Sequence, residues 1–371
     1  MRRSLWLLVA VGLLWVCVAL WLLGSDPVVM PTTQPASHSA VEVGGGDVSA
    51  AETRRVPLTT SSSGPPRPPR STPNGVILYL QGGRWDRFFT AHALPSLEAY
   101  VLRCLPNMYP VHVFTEAVPA TDQQASMREL VPSAKRLDFE DVGHIWRRLP
   151  HNISEQALQG WMAARPGFQG RGYRIMCRFW AGLVWHLDSM SKYEYYWRLD
   201  TDSVFLTPIQ HDPFVLMVSR GCEYGYNRIK GENPHVSMGL FEAYNQWVRS
   251  EQGQPDFMSP GVAKTVQRFF IDKDGYNRTM FYNNFELGTI AMKRSRVYQS
   301  LFQYLDERPP FGIFQFRWGD APIHTLGVMS ALQGDWSKIC YYPREQFNYR
   351  HALKHPPPIS TNRCEGPIQP L

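Results

Sequence analysis

The longest uninterrupted apolar run, residues 5–23, carries no charged side chain. At 1.5 Å per residue it is long enough to cross the roughly 30 Å hydrocarbon core of a bilayer. A cleaved signal peptide is the rival reading, but the run exceeds a usual signal core and its Leu20-Trp21-Leu22-Leu23 end offers no small-residue cleavage site. Arg2 and Arg3 precede the run, and residues 25–51 hold no Lys or Arg, so the positive-inside bias keeps residues 1–4 cytosolic and sends the rest into a secretory lumen. Residues 24–73 are dominated by Pro, Ser, Thr, Gly and Ala, and such a segment has too little apolar surface to offset its ordering entropy. They read as a stem. Residues 74–371 form the lumenal domain.

Within that domain the apolar runs shorten. Residues 75–80 and 111–115 are continuous apolar stretches of strand length, and Leu97, Tyr100, Val101 and Cys104 recur between them at helical spacing. Strand, helix, strand predicts a parallel βαβ unit. Ile175, Met176, Phe179, Trp180, Leu183, Val184 and Leu187 predict an amphipathic helix leading into a strand over residues 193–199. A strand near 222–226 follows, then helices carrying Phe241, Tyr244 and Val248, and Val297, Leu301, Tyr304 and Leu305. This alternation predicts an α/β sandwich, whose ligands sit outside the carboxyl ends of the strands.

The predicted strand ends in Arg198-Leu199-Asp200-Thr201-Asp202. Side chains two apart on an extended backbone share a face, so Asp200 and Asp202 can approach one divalent cation. A hard cation held by one or two carboxylates, with phosphates completing its shell, is how a nucleoside-diphosphate leaving group is gripped. The spacing therefore points to sugar transfer from a nucleotide sugar.

Charge and cysteines narrow the setting. The net charge of +6 is spread along the chain without a Lys/Arg-rich run, which excludes nucleic acid as the expected partner and fits an enzyme of anionic substrate. Cys17 lies in the apolar run, leaving five lumenal cysteines, an odd number, so one stays unpaired or bonds between molecules. No pair has C-x-x-C spacing, so structural disulfides are expected. Asn152-Ile153-Ser154 and Asn277-Arg278-Thr279 are glycosylation sequons.

Three segments together resemble the fungal-type Golgi α-1,2-mannosyltransferases, the glycolipid 2-alpha-mannosyltransferase family. They are Tyr173-Arg-Ile-Met-Cys-Arg178 with Tyr195-Tyr-Trp-Arg-Leu-Asp-Thr-Asp202, then Asn284-Phe-Glu-Leu-Gly288 continuing through Tyr304-Leu-Asp306, and Phe316-Arg-Trp-Gly-Asp-Ala-Pro-Ile-His324. The resemblance implies a GT-A type nucleotide-sugar-binding α/β/α sandwich with a mixed, mostly parallel sheet. It also implies GDP-mannose as donor, Mn²⁺ as metal, a mannosylated glycan as acceptor, retention of anomeric configuration and a single-pass Golgi membrane location. The family's metal motif is Glu-Pro-Asp where this chain has Asp200-Thr201-Asp202, a first carboxylate shorter by one methylene.

By the same resemblance Glu286 is the catalytic carboxylate, either as nucleophile or as electrostatic support for an oxocarbenium-like centre. His324 joins Asp200 and Asp202 as metal ligand. Its alternative is a packed residue in a helix that Asp320 caps ahead of Ala321-Pro322. On this reading Asp320 serves both as helix cap and as sugar-hydroxyl acceptor, while side-chain chemistry offers Arg178 as a diphosphate contact, with structural pairing as its alternative, and Trp318 as a stacking platform, with core packing as its alternative. Two other functional classes stay open at this point. One is a retaining glycosyltransferase for another nucleotide sugar, and the other is a membrane-tethered glycan-binding protein without transfer activity.

Overall fold

The computed structural model describes residues 72–371 apart from 83–85, 166–169, 252–256, 354, 360–362, 365 and 369–371. The expected cytosolic tail, the apolar span at residues 5–23 and nearly all of the stem lie outside the described residues. Among those that are described, no helix is long and apolar enough to cross a membrane.

The strands, in chain order, are β1 (Gly75–Gln81), β2 (Val111–Thr115), β3 (Leu137–Asp141), β4 (Tyr195–Leu199), β5 (Ser203–Phe205), β6 (Tyr224–Tyr226), β7 (Ile229–Gly231), β8 (Ile271–Asp272), β9 (Gly275–Tyr276), β10 (Thr279–Phe281), β11 (Phe285–Thr289), β12 (Ile339–Tyr341) and β13 (Tyr349–His351). Seven of them build the central sheet in the order β12-β6-β11-β4-β1-β2-β3. Every neighbouring pair is parallel except those made by β11, which runs antiparallel to both β4 and β6. The expected mixed, mostly parallel sheet is thus present.

Continuous apolar runs form the central strands because both faces of this sheet are covered. Val76 and Leu78 face one core while Ile77 and Tyr79 face the other, as the two-residue period requires. The first core is capped by α2 (Arg171–Ala181), α3 (Arg296–Glu307) and α4 (Asp320–Ala331), and the second by α1 (Leu94–Tyr100). Arg198 of β4 and Glu286 of β11 are directly opposite in the antiparallel register, and both share the face of Tyr196, which belongs to the first core. Two charged residues are thereby aimed into an otherwise apolar layer.

The amphipathic helix predicted to run to Leu187 ends at Ala181. Gly182 follows with φ −155°, and a Cβ there would come within 2.1 Å of the Phe302 ring, so helix α2 stops where α3 crosses it. Two disulfides, Cys104–Cys364 and Cys222–Cys340, use four of the five cysteines that follow the apolar run and leave Cys177 free and buried in α2.

Candidate active site

Leu199 is the last residue of β4, and the chain then turns, the Ser203 N–H donating to the Asp200 carbonyl at 3.2 Å. Asp200 and Asp202 are therefore brought together by a turn and not by strand alternation. The Asp200 N–H is anchored on the Tyr349 hydroxyl at 2.9 Å. β5 next pairs antiparallel with β13, setting His351 opposite Ser203, and the Ala352 N–H donates to the Asp202 carbonyl at 3.0 Å. This pairing delivers an imidazole to the carboxylates: His351 Nε2 is 3.2 Å from Asp202 Oδ1 and 3.8 Å from Asp200 Oδ2.

One ligand atom from each of Asp200, Asp202 and His351 lies within 4.8 Å of the others. Two carboxylates and an imidazole are a donor set suited to Mn²⁺. Burial pushes the Asp200 carboxyl above its ordinary range, Asp202 and Asp320 add to the effect, and Arg198 and His351 only partly offset it. Excess negative charge confined in a recess is what a divalent cation relieves.

The group opens into a cavity of about 720 Å³ whose walls include Leu80 and Glu116, at the carboxyl ends of β1 and β2, and Arg198 and Asp320. Asp320 accepts hydrogen bonds from Arg198 Nη1 at 2.5 Å and Asn283 Nδ2 at 2.7 Å. Burial opposes its ionisation, yet Arg198 and then His324 hold its carboxyl below the ordinary range. The indole of Trp180 packs against Arg198, whose guanidinium carbon is 4.3 Å from the ring centre.

Behind this wall is a second polar tier that does not line the cavity. Glu286, fully buried, accepts from the Tyr196 hydroxyl, from Lys293 Nζ at 2.8 Å and from His324 Nδ1 at 2.7 Å. The other ring nitrogen of His324 faces the Trp180 carbonyl at 2.8 Å. Burial would raise the Glu286 pKa, but His324 and Lys293 hold it well below the usual carboxylate range. Burial in turn pulls Lys293 down to about 8 against the pull of Glu286. Gly288, two residues on and on the same face, leaves the room that Tyr196 occupies: a Cβ there would sit 2.6 Å from the Tyr196 hydroxyl.

Of the residues expected from sequence, the structure brings together Asp200, Asp202 and Asp320 around the cavity. His324 sits in the second tier with both ring nitrogens engaged, and the imidazole beside the aspartates is His351, which sequence reasoning missed. His351 lies on a three-residue strand with no periodic pattern, and only its pairing with β5 reveals its place. Arg178 makes a forked pair with Asp306, Nε to Oδ1 at 2.8 Å and Nη2 to Oδ2 at 2.8 Å, tying α2 to α3. Trp318 is buried, packed on Gly312, and donates from Nε1 to the Met238 carbonyl at 2.7 Å. Asn152 is exposed, its amide nitrogen 3.2 Å from the Glu307 carbonyl, whereas the Asn277 amide donates to the Phe269 carbonyl at 2.8 Å and its Oδ1 accepts from the Thr279 N–H. Helix α4 begins at Asp320 with Gly319 as its N-cap, so the Asp320 side chain is free of a capping duty and faces Arg198.

This sheet order, with a turn bearing two carboxylates at the carboxyl end of β4, defines a GT-A type glycosyltransferase fold. Core-mannan synthase A (CmsA/Ktr4) of Aspergillus fumigatus, solved in a Mn/GDP form, has the same fold at 20% identity, TM-score 0.62, covering 88% of this chain and 83% of that one. Mannosyltransferase Ktr4p of S. cerevisiae matches with TM-score 0.63 at 23% identity over 79% of this chain and 75% of that chain. A sequence model described as Glycolipid 2-alpha-mannosyltransferase matches residues 113–364, and the chain belongs to that family. Among its curated relatives, O-glycoside alpha-1,2-mannosyltransferase omh1 of Schizosaccharomyces pombe is 32% identical over 181 residues, 48% of this chain and 43% of that protein. The aligned stretch spans about half the length of the curated relatives it matches, or somewhat less.

Proposed function

We propose that the chain is a retaining mannosyltransferase that moves mannose from GDP-mannose to a mannosyl acceptor on glycoprotein or glycolipid glycans, with α-1,2 linkage. The observation that carries this reading is the convergence of Asp200, Asp202 and His351 on one point at the mouth of β4, inside a cavity large enough for a nucleotide sugar. Family membership supports the choice of sugar, and the Mn/GDP form of the Aspergillus fumigatus neighbour supports the choice of base and metal.

Asp200, Asp202 and His351 hold the cation, which when bound supplies Lewis-acid stabilisation of charge on the departing diphosphate. Asp320, ionised and fixed by Arg198 and Asn283, presents its carboxylate to sugar hydroxyls. Glu286, ion-paired with Lys293 and hydrogen-bonded to His324 opposite Arg198, is a positioning residue that fixes this wall and does not touch the sugar carbon. A type II Golgi topology, with the catalytic domain lumenal, is consistent with two disulfides and belongs to the same proposal.

Full-length protein in detergent, given GDP-mannose, Mn²⁺ and α-methyl mannoside, is expected to form an α-linked disaccharide. Asp202→Asn is expected to abolish turnover while GDP-mannose remains intact. Wild-type rates in that variant, or a preference for a uridine-based donor, overturn the reading.

A further inference from the structure

Beyond the cation site the cavity adjoins a smaller one of about 190 Å³, and His351, Tyr282 and Asn284 line both. The smaller cavity is lined by four cations, Arg228, Lys230, Arg344 and Arg350. None of the four forms an ion pair with a carboxylate among the described residues, and the Arg344 Nε is buried without a hydrogen-bond partner. They crowd one another: burial, then Arg350 and Arg228, hold Arg344 below its ordinary value, with Tyr341 and then Glu345 opposing, and burial, then Arg228 and Arg344, lower Lys230, with Glu232 opposing. Lys230 Nζ stands 3.6 Å from the centre of the Tyr282 ring, whose hydroxyl meets His351 Nδ1 at 2.9 Å. Unpaired like charges held together in a folded protein cost free energy that a bound anion recovers.

The position and surroundings indicate which anion. Asn227 and Arg228 follow β6, Tyr282 and Asn284 precede the antiparallel β11, and Arg344 follows β12, so this cavity lies at the ligand-binding edge of the sheet half away from β1 and β2. The larger cavity, reaching to β1 and β2, accommodates a nucleotide sugar, whereas about 190 Å³ suits a single phosphate group and not a nucleotide. Arg228, Asn227 and Arg344 also border a shallow hollow formed with Ile229 and Tyr341, which are 44% and 50% exposed. An exposed aromatic face beside a polar pocket is a platform on which a sugar ring stacks.

Building on the mannosyltransferase reading, we propose that this basic cavity is an acceptor subsite for a phosphate monoester carried on the glycan, separate from the cation-bound diphosphate of the donor. Its negative charge is met by Arg228 and Arg344, each of which offers paired N–H donors to phosphate oxygens, and the glycan that bears it rests on Tyr341.

The test uses the full-length protein with mannose 6-phosphate as probe, α-methyl mannoside as neutral control and GDP with Mn²⁺ as donor-site control. Wild type is expected to take mannose 6-phosphate with a KM at least about tenfold lower than the neutral sugar, the size of one or more charge-assisted hydrogen bonds. Arg228→Gln with Arg344→Gln removes that preference, Arg228→Lys with Arg344→Lys restores part of it, and transfer to α-methyl mannoside and affinity for GDP stay within about twofold. Equal KM values for the two sugars in wild type overturn the proposal. So does a loss of GDP affinity in the Gln variants, which assigns the cations to the donor. Absence of transfer to either sugar counts against the mannosyltransferase reading alone, because calorimetric titration with mannose 6-phosphate, in wild type and the Gln variants, still decides the subsite.

Discussion

Lys293 Nζ lies 2.8 Å from Glu286 Oε1, and neither side chain has any exposure to solvent. An ion pair this deep is held against a desolvation cost of several kcal/mol per ion, repaid only while both partners and their hydrogen bonds stay in place. Glu286→Gln or Lys293→Met alone is expected to lower stability by about 3–5 kcal/mol, since each leaves one buried charge uncompensated. The double variant is expected to cost less than the sum of the two. Urea unfolding of all four proteins measures the coupling, and strict additivity would contradict this account.

Acid sensitivity follows from the same carboxylate. Glu286 is held well below the usual range in the folded protein, whereas in the unfolded chain it titrates near 4.3. Below that pH the unfolded state binds a proton that the folded state does not, so stability present at neutral pH is lost as the pH falls. Between about pH 4.5 and 3 the unfolding midpoint of wild type is expected to drop more steeply than that of Glu286→Gln. Parallel slopes in a pH series of thermal melts would rule this out.

The proposed cation ligands are separable from the second tier. His351→Ala is expected to weaken Mn²⁺ binding at least about tenfold with little change in fold, because the residue is half-buried at a cavity wall. Arg178→Gln is expected to leave Mn²⁺ affinity unchanged and to lower the unfolding temperature, because it breaks the fork to Asp306. Calorimetric Mn²⁺ titration beside thermal melts reads both effects, and the reverse pattern would move Arg178 into the site.

Space is as specific as charge in this layer. Gly288→Ala would set a methyl 2.6 Å from the Tyr196 hydroxyl, and overpacking of this kind costs about 1–3 kcal/mol. The loss is expected as reduced stability together with a weakened hold on Glu286, visible as a shallower acid limb in the same melts. An unchanged midpoint would mean that Tyr196 relaxes freely.

Much of this was legible in the chain because the signals were local. Apolar runs at residues 75–80 and 111–115 became β1 and β2, and the Asp200 and Asp202 carboxylates did converge, though the turn after Leu199 achieved it. His351 was invisible for a different reason: it reaches the aspartates through pairing between segments some 150 residues apart, and a three-residue strand leaves no periodicity to read. His324 was singled out by a family motif, and Arg178 and Trp318 by their side-chain chemistry, and neither signal separates a residue that builds the layer from one that faces the ligand. Their burial, and the partners they meet, distinguish the two.

The β5–β13 pairing has a consequence for how the site comes into being. Asp200 and Asp202 emerge from the ribosome long before His351, so a nascent chain halted between β5 and β13 holds two of the three groups and lacks the third. The site is thus completed only when two distant segments pair, and a fold that has not yet joined β5 to β13 presents the two carboxylates without their imidazole.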